Sequence, residues 1–589
     1  MIKIFKKILF GFLSISLISS CQLRNPKITT GEIDKHIQYL ASETLKGRYP
    51  GTPESKIAAD YIKNELLKSR LKLIGDNGIQ NFEVVTNIVA GENNKLELES
   101  ISGVLNESFA PFAYTSNASI DAEVVFAGYG FSINTDEISW NDYENIDVKG
   151  KWVLILMGDP ETENANSIFA QYAGERDKVI TAKDKGAAGI LFVNGLLFDK
   201  EDKLISLNFD KTRSNAGLPV VHIKRDLADK LIKTNTIASL EKKLKENKKS
   251  ASFSTGTKLN ATTDVEQYKV LTQNIVAVIE GKELKDEFIV LGAHWDHLGM
   301  GGIGSGSRMP DTVAVHYGAD DNASGVAGII EIAEKIAKQK QRKRSVLLIA
   351  FGAEEMGLLG SNYFTANPLF KLNQLKAMVN LDMIGRLKED HSLMISGTGT
   401  AVESENLLHT LNADSVFKLN MQTEGFGPSD HAAFYAKDIP VFFLSSGAHQ
   451  DYHTPYDHAD SINLVGSKAV ADYTFNLMMD LINRDTNLSF QEAGPKQRAT
   501  GGRMYKVTLG IMPNFTSTEN NGLGVDGVRK GGPAEAAGMK KGDRIIAING
   551  LPVTNIYEYM SRLNKLEAGT TVNVDVIRND KKIILLVNL

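Results

Sequence analysis

Short apolar runs recur through the middle of the chain, and polar residues follow them closely. Four runs have the length and the β-branched or aromatic content expected of buried strands. They cover residues 288–293, 346–351, 378–381 and 439–444. Between them, residues 323–338 repeat apolar side chains at helical spacing, which predicts an amphipathic helix. This alternation over 264–483 predicts an α/β fold with a mostly parallel central sheet flanked by helices.

Residues able to bind a metal follow these strands or open the predicted helix. We identify five candidates, each with an imidazole or carboxylate side chain. They are His294, Asp320, Glu355, Asp382 and His453. Because the carboxyl ends of strands in an open α/β sheet border one crevice, separate strands aim side chains at one point. The set therefore indicates a two-metal hydrolytic site.

Each candidate also has an ordinary structural explanation when it is taken alone. His294 would be a buried histidine held by a neighbour, and residues 320–322 would cap the helix that follows. Three consecutive polar residues exceed what capping needs. Glu354 and Glu355 at the mouth of a buried strand, and Asp382 inside an apolar one, are costly to bury without a positive partner. A metal ion would supply that charge.

The length of the chain, 589 residues, predicts several domains rather than one core. With 66 basic and 71 acidic residues, the net charge of −5 gives no field for nucleic acid or anionic lipid. We expect five segments. They are a signal peptide over 1–20, the N-terminal part of the α/β domain over 28–117, an inserted domain over 118–255, the catalytic part of the α/β domain with the candidate metal site over 260–485 and a C-terminal domain over 504–589.

The N-terminus has the pattern of a secretory signal. Three lysines precede an apolar stretch over 8–18, which is too short to span a bilayer. Small residues then lead to Cys21, the only cysteine of the chain, and resemble a bacterial lipobox. The resemblance implies lipidation of Cys21 and a protein tethered to a membrane of the cell envelope, with its bulk outside the cytoplasm. The alternative is a conventional signal peptide with an incidental cysteine.

Two further segments resemble interaction domains. Residues 124–130 and 187–192 carry the resemblance of the inserted segment to a protease-associated domain. Residues 532–539 and 542–550 are similar to the corresponding part of PDZ domains. The resemblance implies a carboxylate-binding loop, which would hold an extended C-terminal peptide by strand addition. The loop residues are Leu509, Gly510 and Ile511. The alternative role of the PDZ-like segment is packing against the catalytic domain.

The order, spacing and flanks of the five candidate ligands, with the 40–53 region, are similar to the MH-clan family of co-catalytic zinc exopeptidases. This family includes bacterial leucyl aminopeptidases, glutamate carboxypeptidase II and the transferrin receptor. The resemblance implies two zinc ions. His294 and Asp382 would bind one zinc, Glu355 and His453 the other, and Asp320 would bridge both.

The same resemblance assigns roles to residues beside the ligands. Glu354 would be the general base, and Asp296 would orient His294. A strained peptide would lie in the Asp320–Asp321 region. One position departs from the family pattern, since His431 stands where several relatives have a tyrosine that hydrogen-bonds the tetrahedral intermediate. A histidine donates likewise, and both a catalytic and a supporting role stay open.

The leading hypothesis is a metallo-aminopeptidase that acts on peptides with a free N-terminus. A glutaminyl cyclase with one working zinc is a second enzyme hypothesis, and carboxypeptidase or dipeptidyl specificity is a third. A non-catalytic, receptor-like scaffold is the alternative outside enzymes. Every ligand position is filled with a suitable residue, which favours the enzyme.

Overall fold

The computed structural model describes most of the chain beyond its N-terminal segment. The described residues are 27–99, 101–135, 137–162, 164, 167–207, 215–494, 507–513, 521–528 and 531–589. Within these ranges, every helix is too short or too polar to cross a membrane. The predicted signal peptide over 1–20 and Cys21 lie outside the described residues.

Twelve α-helices occur in the described parts of the chain. They are α1 (Thr30–Leu40), α2 (Pro53–Lys68), α3 (Glu175–Asp184), α4 (Arg225–Ile232), α5 (Ile237–Asn247), α6 (Gly325–Ala337), α7 (Leu359–Ala366), α8 (Ser404–Leu411), α9 (His431–Tyr435), α10 (Leu464–Asn483), α11 (Pro533–Ala536) and α12 (Ile556–Leu563). Thr29 and Thr52 cap α1 and α2 by accepting a hydrogen bond from the backbone N–H of Glu32 and Ser55, respectively.

Twenty-five strands occur in the same ranges. The first twelve are β1 (Lys72–Leu73), β2 (Ile79–Ala90), β3 (Lys95–Leu98), β4 (Ile101–Ser102), β5 (Phe109–Pro111), β6 (Ala118–Phe126), β7 (Ser132–Asn134), β8 (Ser139–Asn141), β9 (Trp152–Leu156), β10 (Gly189–Val193), β11 (Val220–Ile223) and β12 (Phe253–Thr263). The others are β13 (Val265–Ile279), β14 (Leu284–His294), β15 (Arg344–Phe351), β16 (Leu375–Leu381), β17 (Ser392–Ser396), β18 (Lys418–Gln422), β19 (Val441–Ser445), β20 (Ile511–Pro513), β21 (Leu523–Val528), β22 (Arg544–Ile548), β23 (Leu551–Pro552), β24 (Thr571–Arg578) and β25 (Lys581–Asn588).

A nine-stranded sheet forms the centre of the peptidase part. Its order is β1-β13-β15-β14-β16-β19-β17-β18, and β2 also pairs with β13. The central strands β15, β14, β16 and β19 are parallel. β13 runs antiparallel to β15, and β17 runs antiparallel to β19 but parallel to β18. Apolar side chains of these strands are buried on both faces, against α1, α2, α6 and α10 on one side and against α7 and α9 on the other. The predicted fold class is confirmed, with antiparallel strands added at the edges.

A second sheet of eight strands forms the inserted domain, in the order β4-β3-β12-β6-β9-β10-β11-β5. β3 pairs with β12, and β5 pairs with β11. The core includes Leu96, Leu98 and Phe109, which lie before the predicted limit at 118, and Leu259, which lies beyond the limit at 255. The domain is therefore wider than 118–255, because strands distant in sequence complete its sheet.

The C-terminal part is a small sheet in the order β20-β21-β22-β24-β25, with β23 paired to β22. Its helix α12 lies against α3 of the inserted domain. Arg562 donates two hydrogen bonds to the carboxylate of Asp184, and Lys183 lies 2.6 Å from Glu558. The guanidinium of Arg176 lies between the rings of Tyr114 and Tyr557, 4.0 and 4.1 Å from their centroids. The PDZ-like part thus packs on the inserted domain.

Candidate metal centre

A cluster of imidazole and carboxylate side chains lies at the carboxyl edge of the central parallel strands. β14 ends at His294, Asp382 follows β16, and Glu354 and Glu355 follow β15 closely. The remaining members come from loops. Asp321 lies in a distorted helical turn over Ala319–Ser324, just before α6. The topology thus brings the residues at these strand ends to the same edge of the sheet.

The first half of the cluster consists of His294, Asp321 and Asp382. Nε2 of His294 lies 3.2 Å from Oδ1 of Asp321 and 3.4 Å from Oδ1 of Asp382. The ligand atoms of these three residues lie within 4.8 Å of one another. His294 is 1 % exposed, so the group is well shielded from water. This spacing would allow one metal ion to contact all three side chains.

The second half contains Glu355 and two histidines. Nε2 of His453 lies 3.0 Å from Oε2 of Glu355 and 3.2 Å from Oδ2 of Asp321. Nδ1 of His297 lies 2.7 Å from Oε1 of Glu355, and His297 with Asp321 and Glu355 forms a second group with metal-ligand spacing. The sequence reasoning missed His297. Its signal was a second imidazole three residues beyond His294, after the same strand.

Asp321 belongs to both halves, and this corrects the predicted bridging residue. Its Oδ1 faces His294 and its Oδ2 faces His453. Asp320 was predicted to bridge, but its side chain turns away. Its Oδ1 accepts hydrogen bonds from the backbone N–H of Gly385 and from Oγ of Ser324. Neighbouring side chains on this turn point in different directions, so a shift of one residue exchanges their environments.

Hydrogen bonds from neighbouring loops fix the backbone around Asp321. Oδ2 of Asp457 accepts from the backbone N–H of both Asp320 and Asp321, at 2.9 and 3.0 Å. The side chain of Asn322 donates to the carbonyl of Leu381 and accepts from the N–H of Met383. The Asp321–Asn322 peptide bond is cis, one residue after the Asp320–Asp321 region named from sequence. These contacts join the turn directly to the strand end that carries Asp382.

Asp296 supports the cluster by a different route from the predicted one. Nδ1 of His294 lies 3.3 Å from the backbone carbonyl of Asp296, whereas the Asp296 carboxylate lies 3.8 Å away. That carboxylate instead accepts hydrogen bonds from the backbone N–H of Glu354 and of Glu355, at 3.0 and 3.4 Å. Asp296 therefore orients the histidine through its main chain and the two glutamates through its side chain.

Three non-glycine residues of the centre have a left-handed backbone. Ala353 precedes the two glutamates with a φ of 58°, Met383 follows Asp382 with a φ of 60°, and His453 itself has a φ of 56°. Such conformations cost free energy and persist only where the surrounding structure enforces them. They re-aim the chain just where it leaves β15 and β16, which turns the acidic side chains into the crevice.

Burial and charge act against each other throughout the centre. Burial alone would lower the pKa of His294, but Asp382, Glu354 and Asp321 raise it well above its usual value. Burial alone would also lower the pKa of His453, which its carboxylate partners raise to about 10. Burial and Asp321 raise the pKa of Glu355, and hydrogen bonds from His297 and His453 lower it to about 2. The protonated histidines thus balance part of the negative charge of the buried carboxylates.

Glu354 has the opposite environment from Glu355. Its pKa lies well above the usual value, because burial raises it and the charges of Glu355 and Asp430 add to burial, although His294 opposes them. Burial raises the pKa of Asp430 to about 7. Two adjacent glutamates therefore differ in chemistry: Glu355 is held as a carboxylate, while Glu354 favours a bound proton. A group of the second kind suits general acid–base work.

A single buried arginine connects the N-terminal segment to the centre. Arg48 donates hydrogen bonds to the carbonyls of Trp295, Tyr317 and Gly318 at 2.8, 2.8 and 3.0 Å, and to Leu40. It is 1 % exposed, and burial lowers its pKa to about 10. Its guanidinium thereby holds together the segment that follows His294 and the segment that precedes Asp321.

The structure does not bring His431 into the cluster. The ring is fully buried and stacks on Phe443, with 4.5 Å between the ring centroids. Burial lowers its pKa to about 3, so the imidazole is neutral. Tyr452 is a neighbour that the sequence reasoning missed: it stacks on His453 at 3.9 Å, and burial with the charges of Asp321 and Glu355 raises its pKa.

The predicted carboxylate-binding loop lies at the start of β20. Leu509 is buried and its carbonyl accepts a hydrogen bond from Ala534, while Gly510 has a φ of 72° and donates from its N–H to Thr508. Ile511 begins the strand. The peptide-binding role of these residues stays a prediction.

The donor set of the cluster fits zinc. Its ligand atoms are imidazole nitrogens and carboxylate oxygens, which are the donors of hydrolytic zinc sites. The buried acids also outnumber the neighbouring histidines, so a cation would relieve their mutual repulsion.

Comparisons with known proteins agree with this geometry. Residues 274–478 match Peptidase family M28, residues 120–231 match the PA domain, and residues 508–589 match the PDZ domain. The chain is similar to aminopeptidase YwaD of Bacillus subtilis, with 25 % identity over 437 residues, 72 % of this chain and 78 % of that protein. It is also similar to a probable leucine aminopeptidase 2 of Aspergillus oryzae, with 26 % identity, covering 62 % of this chain and 71 % of that one.

A solved structure is also similar, that of a zinc aminopeptidase from Bacillus subtilis. The identity is 20 %, the match covers 80 % of this chain and 100 % of that chain, and the TM-score is 0.47.

A buried acid and histidine cluster on an α/β sheet, in a segment matched by a peptidase family, places the chain among the metal-dependent hydrolases. More particularly, it consists of a peptidase family M28 domain with a PA domain inserted into it and a PDZ domain towards its C-terminus. The family resemblance inferred from the sequence is confirmed.

Proposed function

We propose that the protein is a zinc aminopeptidase that removes N-terminal residues from peptides with a two-metal centre. The observation that carries the proposal is the shared position of Asp321, whose two oxygens face two separate sets of ligands. The relatives named aminopeptidases support the choice of substrate end. A site with one working zinc, as in a glutaminyl cyclase, would not need a carboxylate between two sets of ligands.

Five residues would hold the two ions. They are His294 and Asp382 on one side, Glu355 and His453 on the other, and Asp321 between them. When bound, a pair of zinc ions would lower the pKa of the attacking water and polarise the scissile carbonyl. His297 would hold Glu355 in place, because its Nδ1 already lies at hydrogen-bond distance from Oε1 of that carboxylate.

Glu354 would act as the general base. Its Oε2 lies 4.0 Å from Nε2 of His294, at the edge of the centre. The carboxylate would take a proton from the attacking water and return it to the leaving amine, for which its raised pKa is suitable. Asp296 keeps the main chain of Glu354 fixed during both transfers.

Tyr452 would supply a hydrogen-bond donor to the substrate. Its hydroxyl stays protonated at neutral pH, since burial and the neighbouring carboxylates raise its pKa. An O–H donor beside a buried acidic centre can stabilise an oxygen that becomes negative in the reaction. We infer this role instead of the one considered for His431, whose ring stacks on Phe443.

The test is a metal analysis of the purified protein combined with a panel of substrates. We expect about two zinc ions per chain. Leucine and alanine anilides should be hydrolysed, and the same anilides with a blocked N-terminus should not. Removal of zinc with a chelator should abolish hydrolysis, and added zinc should restore it.

Other results would point to a different function. About one zinc per chain with formation of pyroglutamate would indicate a cyclase. Cleavage of N-blocked peptides from their C-terminus would indicate a carboxypeptidase, and release of dipeptides a dipeptidyl peptidase. Absence of zinc together with absence of hydrolysis would leave the scaffold hypothesis.

We also propose that lipid on Cys21 anchors the protein at a membrane of the cell envelope, on the basis of the sequence around this residue. Cys21→Ser should move the protein from the membrane fraction to the soluble one and abolish incorporation of labelled palmitate. Unchanged fractionation with no label in the wild type would contradict the anchor.

The PDZ domain is proposed to bind an extended C-terminal peptide at Leu509–Ile511. Binding of a C-terminal peptide library should be lost when the terminal carboxylates are amidated. Equal binding of amidated peptides would exclude the carboxylate loop.

A further inference from the structure

A loop over residues 298–319 connects His297 to the turn that carries Asp321. Hydrogen bonds between its two arms close the loop into a hairpin. One of them runs from the N–H of His316 to the carbonyl of Gly299, at 2.8 Å. Both ends of the loop are therefore fixed at residues of the metal centre.

The tip of this loop holds His453, a candidate ligand from a distant part of the chain. Nδ1 of His453 donates to the carbonyl of Gly306 at 3.1 Å. The N–H of Arg308 donates to the carbonyl of His453 at 2.9 Å, and the Arg308 guanidinium donates to the carbonyl of Gln450 at 3.1 Å. A proton held on Nδ1 by a carbonyl leaves Nε2, the atom that faces the carboxylates of the centre, able to bind a metal.

His453 needs this support more than the histidine of the first half does. His294 ends a buried strand and is 1 % exposed. The side chain of His453 is 15 % exposed, and the residue lies between β19 and α10 with a left-handed backbone. A ligand on an irregular segment keeps its orientation only where neighbouring groups hold it.

A serine and a buried histidine fix the shape of the loop tip. Nδ1 of His316 donates to the carbonyl of Ala314 at 3.0 Å, and burial, which lowers the pKa of His316, keeps the ring neutral. Nε2 of the ring is then an acceptor, and it receives the hydroxyl proton of Ser307 at 2.8 Å. The same oxygen of Ser307 accepts from the N–H of Met309 at 3.0 Å.

The ring of His316 is itself held in place by close packing. It is fully buried, and a Cβ atom at Gly301 would lie 2.1 Å from Cε1 of the ring, so the backbone at Gly301 lies directly against it. The ring is thus a fixed point for Ser307. Ser307 in turn stands between Gly306 and Arg308, the two residues that bind the backbone and ring of His453.

We propose that Ser307 and His316 are positioning residues for His453, and that they set the zinc affinity of the second half of the metal centre. They hold the loop tip where it fixes the ring of this ligand. The first half would not depend on them, because the ends of β14 and β16 position His294 and Asp382. The inference rests on the proposed two-metal function.

The experiment is a titration of the metal-free protein with zinc alone, in competition with a chelator. The wild type should show two binding steps. Ser307→Ala and His316→Phe should each weaken one step by about 10–100-fold, the range for residues that orient metal ligands, and leave the other step unchanged. Phenylalanine keeps a planar ring against Gly301 but has neither nitrogen. Ser307→Thr keeps the hydroxyl and should restore the binding of the wild type.

Thr312→Ala is the control on the same loop, because the bond from its N–H to the carbonyl of Met309 is kept. Both steps should stay as in the wild type. His453→Ala serves as the reference and should lose the step that Ser307→Ala weakens. In the His453→Ala background, Ser307→Ala should have no further effect on the remaining step, whereas a general role in folding would weaken that step too.

Several results would overturn the inference. They are equal weakening of both steps by Ser307→Ala, unchanged binding in both Ser307→Ala and His316→Phe, and a further loss in the His453→Ala background. A single binding step in the wild type would overturn the inference together with the two-metal centre. A wild type that binds two zinc ions but hydrolyses no peptide would contradict the proposed function alone, because the titrations contain no substrate.

Discussion

Two regions of the molecule concentrate charged side chains, and they are organised differently. At the contact between the PA and PDZ domains each acid faces a base, as Asp184 faces Arg562 and Glu558 faces Lys183. At the metal centre, five acids converge with three histidines, and they are Glu354, Glu355, Asp321, Asp382 and Asp296. Paired charges hold two surfaces together, whereas buried carboxylates in excess repel one another and favour the binding of a cation.

The two regions also differ in how their buried charges are satisfied. Arg562 is 2 % exposed but makes a bidentate contact with its partner, so its charge is satisfied within the chain. The acids of the metal centre shift each other's pKa instead, with Glu354 raised and Glu355 lowered. The first arrangement is complete in the protein alone, and the second is complete only with metal.

The largest expected effect comes from the carboxylate that both halves of the centre share. Asp321→Asn should reduce kcat/KM below about 0.1 % of the wild type. The reason is that the ligands act as a unit, so the loss of one of them removes most of the catalysis. It should also lower bound zinc, as measured by mass spectrometry of the metal. Asp320→Asn is the matched control, since its side chain binds Gly385 and Ser324. Greater loss in Asp320→Asn than in Asp321→Asn would return the bridging role to Asp320.

The second effect separates proton transfer from charge balance. Glu354→Gln keeps the size of the side chain and should lower kcat by about 10²–10⁴, the range for general acid–base catalysis. The zinc content should stay the same. Near-normal turnover would remove Glu354 from the mechanism, and loss of zinc would make it a ligand.

The third effect concerns Arg48, a buried arginine that lies beside the metal centre. Arg48→Met leaves the carbonyls of Trp295, Tyr317 and Gly318 without their donor, and unmade buried hydrogen bonds cost about 1–3 kcal/mol each. We expect a lower melting temperature and a loss of zinc affinity of about 10–100-fold, as for residues that orient metal ligands. Arg48→Lys should recover part of both. A variant with normal zinc affinity and a lowered melting temperature would limit Arg48 to stability.

The smallest effect should arise at the domain contact. Arg562→Glu should loosen the PDZ domain, detected as faster proteolysis near the end of the peptidase domain, while hydrolysis of Leu-Gly stays within about twofold. The paired reversal Arg562→Glu, Asp184→Arg should restore protection, with a coupling of about 1–3 kcal/mol. Equal protection in all variants would mean that this ion pair does not hold the domains.

The sequence predicted the central sheet well, since each of the four apolar runs is a strand. Those strands are buried on both faces, so hydrophobicity alone marks them. The choice between Asp320 and Asp321 failed for a local reason. The turn distorts at Asp321 and Asn322. The helix α6 begins at Gly325, whereas the sequence predicted a start at residue 323. A row of polar residues does not tell which side chain turns inward.

Other features lay beyond what the sequence could indicate. Arg48 donates hydrogen bonds to residues that lie more than 240 positions further along the chain. No periodicity in the sequence indicates such contacts. The extension of the PA domain depends on the pairing of β3 with β12, two strands far apart in the chain. The pairing of Arg562 with Asp184 likewise depends on how two separately recognisable domains meet. Sequence patterns describe segments, and these features belong to pairs of segments.

The ring of Tyr557 covering Arg176 has a consequence for anyone who exchanges domains between related chains. Tyr114 and Arg176 come from the PA domain, and Tyr557 comes from the PDZ domain. A PDZ domain without an aromatic residue at position 557 would lose one of the two rings that contact Arg176, and a PA domain without an arginine at position 176 would lose the cation. The PA and PDZ domains should therefore be exchanged together, as one unit that keeps the contact between them.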